Sequence, residues 1–205
     1  MVQTMECEAD RVTSNDVVAL ATRAFIAGER IEVGELATEA GVNRSTVYRR
    51  FHGRDGLLGE VLWGLTSRTM EAAIRRSRGK GAARITSLMV EFATLANTAD
   101  HIRLFFSREP ERALRVMTTQ AGGVQPRIVE RITEVIDDEV AAGHLTPPLP
   151  TPDLALILVR ITETFVYANV ITGEEPDAVK VGQACGALLG VGAHERPSAA
   201  MITGT

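Results

Sequence analysis

Between Arg44 and Arg54 the chain carries Arg44, Arg49, Arg50 and Arg54 and no acidic residue, although the whole protein has a formal net charge of -4. Ser45, Thr46, Tyr48 and His52 lie among these arginines. Such a mixture suits the reading of a nucleic-acid duplex. A guanidinium forks onto guanine or phosphate, a short hydroxyl serves either base, and a phenol donates to a phosphate oxygen. One good bidentate pair contributes roughly 1–3 kcal/mol of discrimination against the wrong base. The plainer alternative is a solvated helix face. Arg44, Ser45, Thr46, Tyr48 and Arg49 are expected at the start and exposed side of one helix, with His52 and Arg54 just past its end, placed to hold the backbone from the other side.

The flanking residues supply the elements that would position this chemistry. A first helix is expected from near Thr13, where Thr13 and Asp16 could form a capping box, through Val17, Val18, Leu20, Ala21, Ala24 and Phe25 to a stop at Gly28. A second follows at about Val33 to Ala40. Gly41 permits a tight turn, Val42 plugs a small core, and Asn43 caps a third helix over Arg44 to Phe51. Val47 and Phe51 should point inward. The spacing is that of a helix-turn-helix.

Beyond it, apolar residues recur at three and four with no sustained alternation of period two, so the fold class is all-α. A long helix is expected from Asp55 to Arg78, ending at Gly79-Lys80-Gly81. Others follow at Ala82 to Asn97, Ala99 to Arg108, Pro110 to Thr119 and Val124 to Ala142. After Pro147, Pro148 and Pro150, Thr151 can cap a strongly apolar helix from Pro152 to Thr172, and a last one runs from Pro176 to Val191. The expected organisation is a flexible tail over 1–12, a helix-turn-helix domain over 13–54, a larger helical domain over 55–192 and a second tail over 193–205.

Several function classes are disfavoured. The N-terminus is acidic where a signal peptide would be basic and then apolar, and no long apolar run occurs, which points to a cytoplasmic protein without membrane contact. With only Cys7 and Cys185, neither a disulfide framework nor a thiolate metal site is supported. Gly79-Lys80 lacks the partners of a phosphate loop, and His101, His144 and His194 are too scattered for a metal hydrolase. No cofactor and no enzymatic activity are expected.

In the larger half, Arg160, Glu163 and Tyr167 fall within helical reach of one another amid Leu156, Val159, Phe165 and Val166. Two readings stay open: an internal ion pair that fixes packing, or polar anchors that orient a small molecule inside an apolar pocket. Candidate pocket walls are Leu62, Phe92, Phe105, Phe106, Met117, Val124, Gln125, Arg160, Glu163, Phe165 and Tyr167. A single recognition helix reads few base pairs, so two copies are expected on half-sites about one turn, roughly 34 Å, apart. The run VGQACGALLGVG in the last helix offers small residues for close packing against a second copy.

The segment LATEAGVNRSTVYRRFHGRDGLL resembles the signature of the TetR family of transcriptional regulators. That resemblance implies a dimer on a palindromic double-stranded DNA operator, with contacts from Arg44, Ser45, Thr46, Tyr48, Arg49, His52 and Arg54. Leu36, Ala37, Val42, Val47 and Phe51 would be scaffold. FIAGERIEVGEL, between the first two helices, is shorter than the common pattern. The segments IRLFFSREPERALRVMTTQAGGVQPRIVERI and LALILVRITETFVYANVITGEEPD are similar to the ligand domain of a subset of actinobacterial TetR regulators named for a regulator of quorum-signal degradation. The implied partners are a second copy, joined through the last two helices, and a small hydrophobic effector such as a γ-butyrolactone or an acyl homoserine lactone. The alternative is a DNA-binding dimer without an effector.

Overall fold

Residues 15–191 are described by the computed structural model, so Thr13, Cys7, His194 and both expected tails lie outside it. The described residues form helices and no strand. Helix α1 covers residues 15–26, and α2 (Val33–Glu39), α3 (Arg44–Phe51) and α4 (Arg54–Arg76) follow. Then come α5 (Gly81–Asn97), α6 (Asp100–Arg108), α7 (Pro110–Thr118), a 3-10 turn (Gln120–Gly122) and α8 (Val124–Ala141). Helices α9 (Thr151–Val166), α10 (Ala168–Ile171) and α11 (Ala178–Leu189) complete the chain.

The first three helices enclose a small core of Val17, Ala21, Phe25, Ile31, Val33, Leu36, Ala37, Val47 and Phe51, all buried. The larger half is built around α5, which packs against α4, α8, α9 and α11. Its Ile85, Leu88, Met89 and Ala93 meet a layer that includes Leu62, Met70, Ile132, Ile136, Leu154 and Leu158, all buried. Each such large side chain stabilises the fold by roughly 1.5–3 kcal/mol relative to exposure.

Three local features depart from the sequence expectation. The long apolar helix does not run to Thr172 but breaks at Tyr167 (φ -101°, ψ 16°), after which α10 adds a single turn. The break goes with the ring of Tyr167, which is buried and stacked on Phe106 at 4.7 Å. Thr151 caps nothing, since the cap position is Pro150. The last helix starts at Ala178 under Asp177, whose carboxylate accepts from the backbone N–H groups of Val179 and Lys180 at 2.8 and 3.2 Å.

The small residues of α11 serve the protomer's own core. A Cβ on Gly182 would lie 2.8 Å from Cγ2 of Val90, and one on Gly186 would lie 3.7 Å from Cγ2 of Thr86, both on α5. Cys185 between them is fully buried, and burial pushes its thiol up to about 12. Of the stripe expected to pack on a second copy, Gly182 and Gly186 therefore face α5 of the same protomer, while Ala187 and Gly190 are exposed.

A second close approach joins α4 to the 3-10 turn, where a Cβ on Gly59 would stand 2.5 Å from the Gly122 carbonyl oxygen. At the α4–α5 corner, buried Glu139 accepts from Gly81 N–H at 2.6 Å, pairs with Arg84 and faces His144 Nδ1 at 3.3 Å. Burial alone would raise its carboxyl, but Gly81 and Arg84 hold it below the ordinary range.

Candidate nucleic-acid interface and effector cavity

Helix α3 is placed by its ends. Asn43 caps it, its side-chain oxygen accepting from both the N–H and the hydroxyl of Ser45 at 2.9 Å. At the other end His52 adopts the left-handed region (φ 56°), where its N–H reaches Tyr48 O at 2.8 Å and a tight turn leads to α4. Val47 and Phe51 anchor the inner face, so Arg44, Ser45, Tyr48 and Arg49 stand exposed beside Arg50 and His52, with Thr46 half-buried. Arg44 lies over the Tyr48 ring, 5.2 Å from its centroid, and its Nη2 donates to the Tyr48 hydroxyl at 3.2 Å. The pair presents a guanidinium and a phenol on one ridge, a cation–π contact that holds both side chains ready for a duplex.

Arg54 stands apart from this set. Its side chain is only 17% exposed, its Nη1 and Nη2 donate to Glu109 at 2.9 and 2.7 Å, and its Nε donates to Ile31 O at 2.9 Å. With the whole fork committed, Arg54 ties the helix-turn-helix to the start of α7 and offers no free edge to a phosphate. Around it Arg112 pairs with Glu109 and reaches Asp55 at 2.9 Å, while Arg115 meets the other Asp55 oxygen at 2.5 Å. Arg108 donates to Gly28 O, and Leu104 presses on the same glycine. Beside this joint an open cleft of about 430 Å³ lies between α1, α4 and α6, lined by Phe25, Ile31, Leu58, His101, Leu104 and Phe105 among others.

A narrower apolar cavity of about 50 Å³ lies deeper, between α4, α5, α6, α8 and α9. Of the residues expected from sequence, Phe92, Met117, Glu163 and Tyr167 line it. The others do not. Leu62 and Val124 are fully buried core, Phe106 lies behind Tyr167, Phe105 faces the outer cleft, and Phe165 is half-buried elsewhere. Arg160 sits outside the lining with its Nη1 on Glu163 at 2.8 Å. The Gln125 amide, oriented with its oxygen toward Arg160, accepts from Nε and Nη2 at 3.0 and 2.9 Å. Both readings of the Arg160–Glu163 pair thus meet in one place, an ion pair at the edge of a cavity. Burial raises the Glu163 carboxyl, with Arg160 opposing.

The sequence reading missed Thr66, Thr69, Ile102 and His101 as wall residues. His101 lines both cavities, stands edge-on to Phe25 at 5.9 Å, and is held below its ordinary pKa by burial. From there the aromatic contacts continue: Phe25 to Phe105 at 5.4 Å, Phe105 to Phe106 at 6.2 Å, and Phe106 to Tyr167. Glu109 was also missed, although an acid directly before Pro110, the first residue of α7, is a helix-start signal.

Among the described residues, no His, Cys, Asp and Glu cluster that could hold a metal occurs, and no helix is long and apolar enough to cross a membrane. Comparison with curated proteins finds no match. Among solved structures, the R. erythropolis transcriptional repressor QsdR from the TetR family is similar over 88% of this chain and 96% of its own, at 27% identity and a TM-score of 0.82. The Bacillus subtilis transcriptional regulator FadR, solved in complex with stearoyl-CoA, shares the fold at 13% identity and a TM-score of 0.53, covering 85% of this chain and 96% of its own. The model of bacterial regulatory proteins of the tetR family matches residues 29–61, and that of the tetracyclin repressor-like C-terminal domain matches residues 80–190. With an exposed basic α3 on a helix-turn-helix and a family match across more than half of its length, the chain belongs to the TetR family of transcriptional regulators, which are not enzymes.

Proposed function

We propose that the protein is a repressor that binds a palindromic operator as a dimer and is released by a small hydrophobic effector, such as a γ-butyrolactone or an acyl homoserine lactone. The observation that carries this reading is the physical continuity between the inner cavity and the DNA-binding unit. Tyr167 forms part of the cavity wall, stacked on Phe106, and edge-on contacts continue through Phe105 to Phe25 of α1. The likeness to a TetR-family repressor over nearly the whole chain supports the sign of regulation.

In this mechanism the unliganded dimer holds both α3 helices at operator spacing. An effector that enters beside His101, Ile102 and Tyr167 displaces α6, and the Arg54–Glu109 joint carries the movement to α4 and the helix-turn-helix. The coupling is reciprocal: an effector that weakens operator affinity a hundredfold must itself bind the DNA complex a hundredfold more weakly, about 2.7 kcal/mol. Exposed Leu156, Ile157 and Val179 support pairing through α9 and α11, the last two long helices.

A gel-shift titration on DNA flanking the protein's own gene, at fixed salt and with or without lactones, tests the reading. Fixed salt is essential because phosphate contacts dominate affinity. Specific binding relieved by a lactone supports both halves, and absence of specific binding defeats the proposal. The narrowness of the cavity, about 50 Å³, favours a second reading in which the dimer binds DNA without an effector. Specific binding indifferent to every lactone would select it.

A further inference from the structure

We propose that the effector carries an N–H or O–H donor beside its apolar portion, and that Glu163 Oε1 is the acceptor that selects it. This rests on the inner cavity being the effector site. The two oxygens of Glu163 are in unlike positions. Oε2 accepts from Arg160 Nη1 at 2.8 Å, whereas Oε1 is buried and receives no hydrogen bond from any described residue. A buried carboxylate oxygen left bare is costly, and native folds rarely keep one without a purpose. Glu163 also lines the cavity, so its unmet capacity belongs to the space a ligand would enter.

No donor of the wall reaches Glu163 Oε1. The hydroxyls of Thr69 and Thr162, which share the cavity, donate to the backbone carbonyls of Leu65 and Leu158 at 3.1 and 2.9 Å, and Thr66, His101 and Tyr167, also in the wall, make no hydrogen bond to that oxygen. The remaining wall is mainly apolar, with Met89 and Met117 as adaptable members that can yield to a chain. Arg160, itself braced by Gln125, donates to Oε2 and favours the charged form against burial; in that form the carboxylate accepts and does not donate. A ligand with only acceptors would set its lone pairs against Oε1, and a fatty carboxylate would add a like charge. An N-acyl amide meets the requirement, because its N–H follows directly on an apolar chain.

The test compares N-acyl homoserine lactones of short, medium and long chain with matched esters in which oxygen replaces the amide N–H. Binding to the full-length protein is measured by calorimetry and operator release by gel shift. The wild type should bind the best amide roughly tenfold or more tightly than its ester, the range expected of a hydrogen bond to a charged group. In Glu163→Leu, checked for folding by its melt and for operator binding without ligand, that preference should fall to near unity.

Equal binding of amide and ester by the wild type would overturn the proposal while leaving the cavity as an effector site. So would a stronger ester, or a preference that survives in Glu163→Leu. Failure of every probe both to bind and to release the operator would overturn the effector reading along with it.

Discussion

Arg54 and Glu109 meet fork to fork across the boundary between the helix-turn-helix and the larger domain, with two N–H···O contacts of 2.9 and 2.7 Å. The partly buried pair closes a connection that Ile31 O completes through Arg54 Nε. Bidentate charge-assisted pairs of this kind fix geometry as well as adding energy. The joint therefore ties the helix-turn-helix, and α3 with it, to the start of α7.

A double-mutant cycle separates this role from a phosphate contact. Arg54→Ala and Glu109→Ala are each expected to destabilise the protein by about 1–3 kcal/mol, between the values for exposed and buried pairs. Denaturant melts of the singles and the double should show strong coupling, and operator affinity should fall for both singles. Additive melts, with only Arg54→Ala weakening DNA binding, would return Arg54 to the phosphate-binding set.

Acid should loosen the same joint. The hydrogen bonds from Arg54, aided by Arg112, hold the Glu109 carboxyl at about 2 against an ordinary 4.5. Because the folded value is the depressed one, its stabilisation is complete above about pH 4.5 and drains away as pH falls toward 2. Urea midpoints across that window should decline less steeply in Glu109→Gln than in the wild type. Parallel declines would deny Glu109 this contribution.

On α3, Arg49→Ala should weaken operator binding roughly tenfold or more if the side chain reads a base, with the melt unchanged. If it holds a phosphate instead, the slope of log affinity against log salt should shrink by about 0.9. Neither change would remove Arg49 from the interface.

Two glycines of α4 give a matched pair. Gly59→Ala would drive its Cβ to 2.5 Å from Gly122 O and should cost about 1–3 kcal/mol through forced backbone shifts. Gly64 is exposed with nothing within 4 Å, so Gly64→Ala should stabilise the monomer fold by about 0.5–1 kcal/mol through helix propensity alone. Thermal melts that fail to rank the two in this order would contradict the close approach. Separately, Leu156→Arg on α9 should yield monomers by sedimentation and depress operator affinity; an unchanged dimer would move the interface elsewhere.

Much of this was legible in the sequence because the signals are local. Asn43, Gly41 and the inward pair Val47 and Phe51 define α3 within a dozen neighbours, and its boundaries match the expectation. The cavity was only partly legible. Phe92 and Met117 line it while Leu62 and Val124, equally apolar, do not, because lining depends on which helix turns which face to its neighbours. Arg54 looked like part of the basic run, since its partner lies 55 positions away. The break at Tyr167 escaped periodicity because the apolar pattern continues through it and only the distant ring of Phe106 distinguishes the position.

The inward use of Gly182 and Gly186 has a consequence for how such a regulator diversifies. Gly182, where an added Cβ would crowd Val90, and Gly186, in ordinary contact with Thr86, are turned toward α5, while Gln183 and Ala187 of α11 are exposed. In the proposed dimer, self-recognition would thus be uncoupled from folding: substitutions on that outer face would insulate one duplicated regulator from another, leaving the packed interior of each copy unchanged.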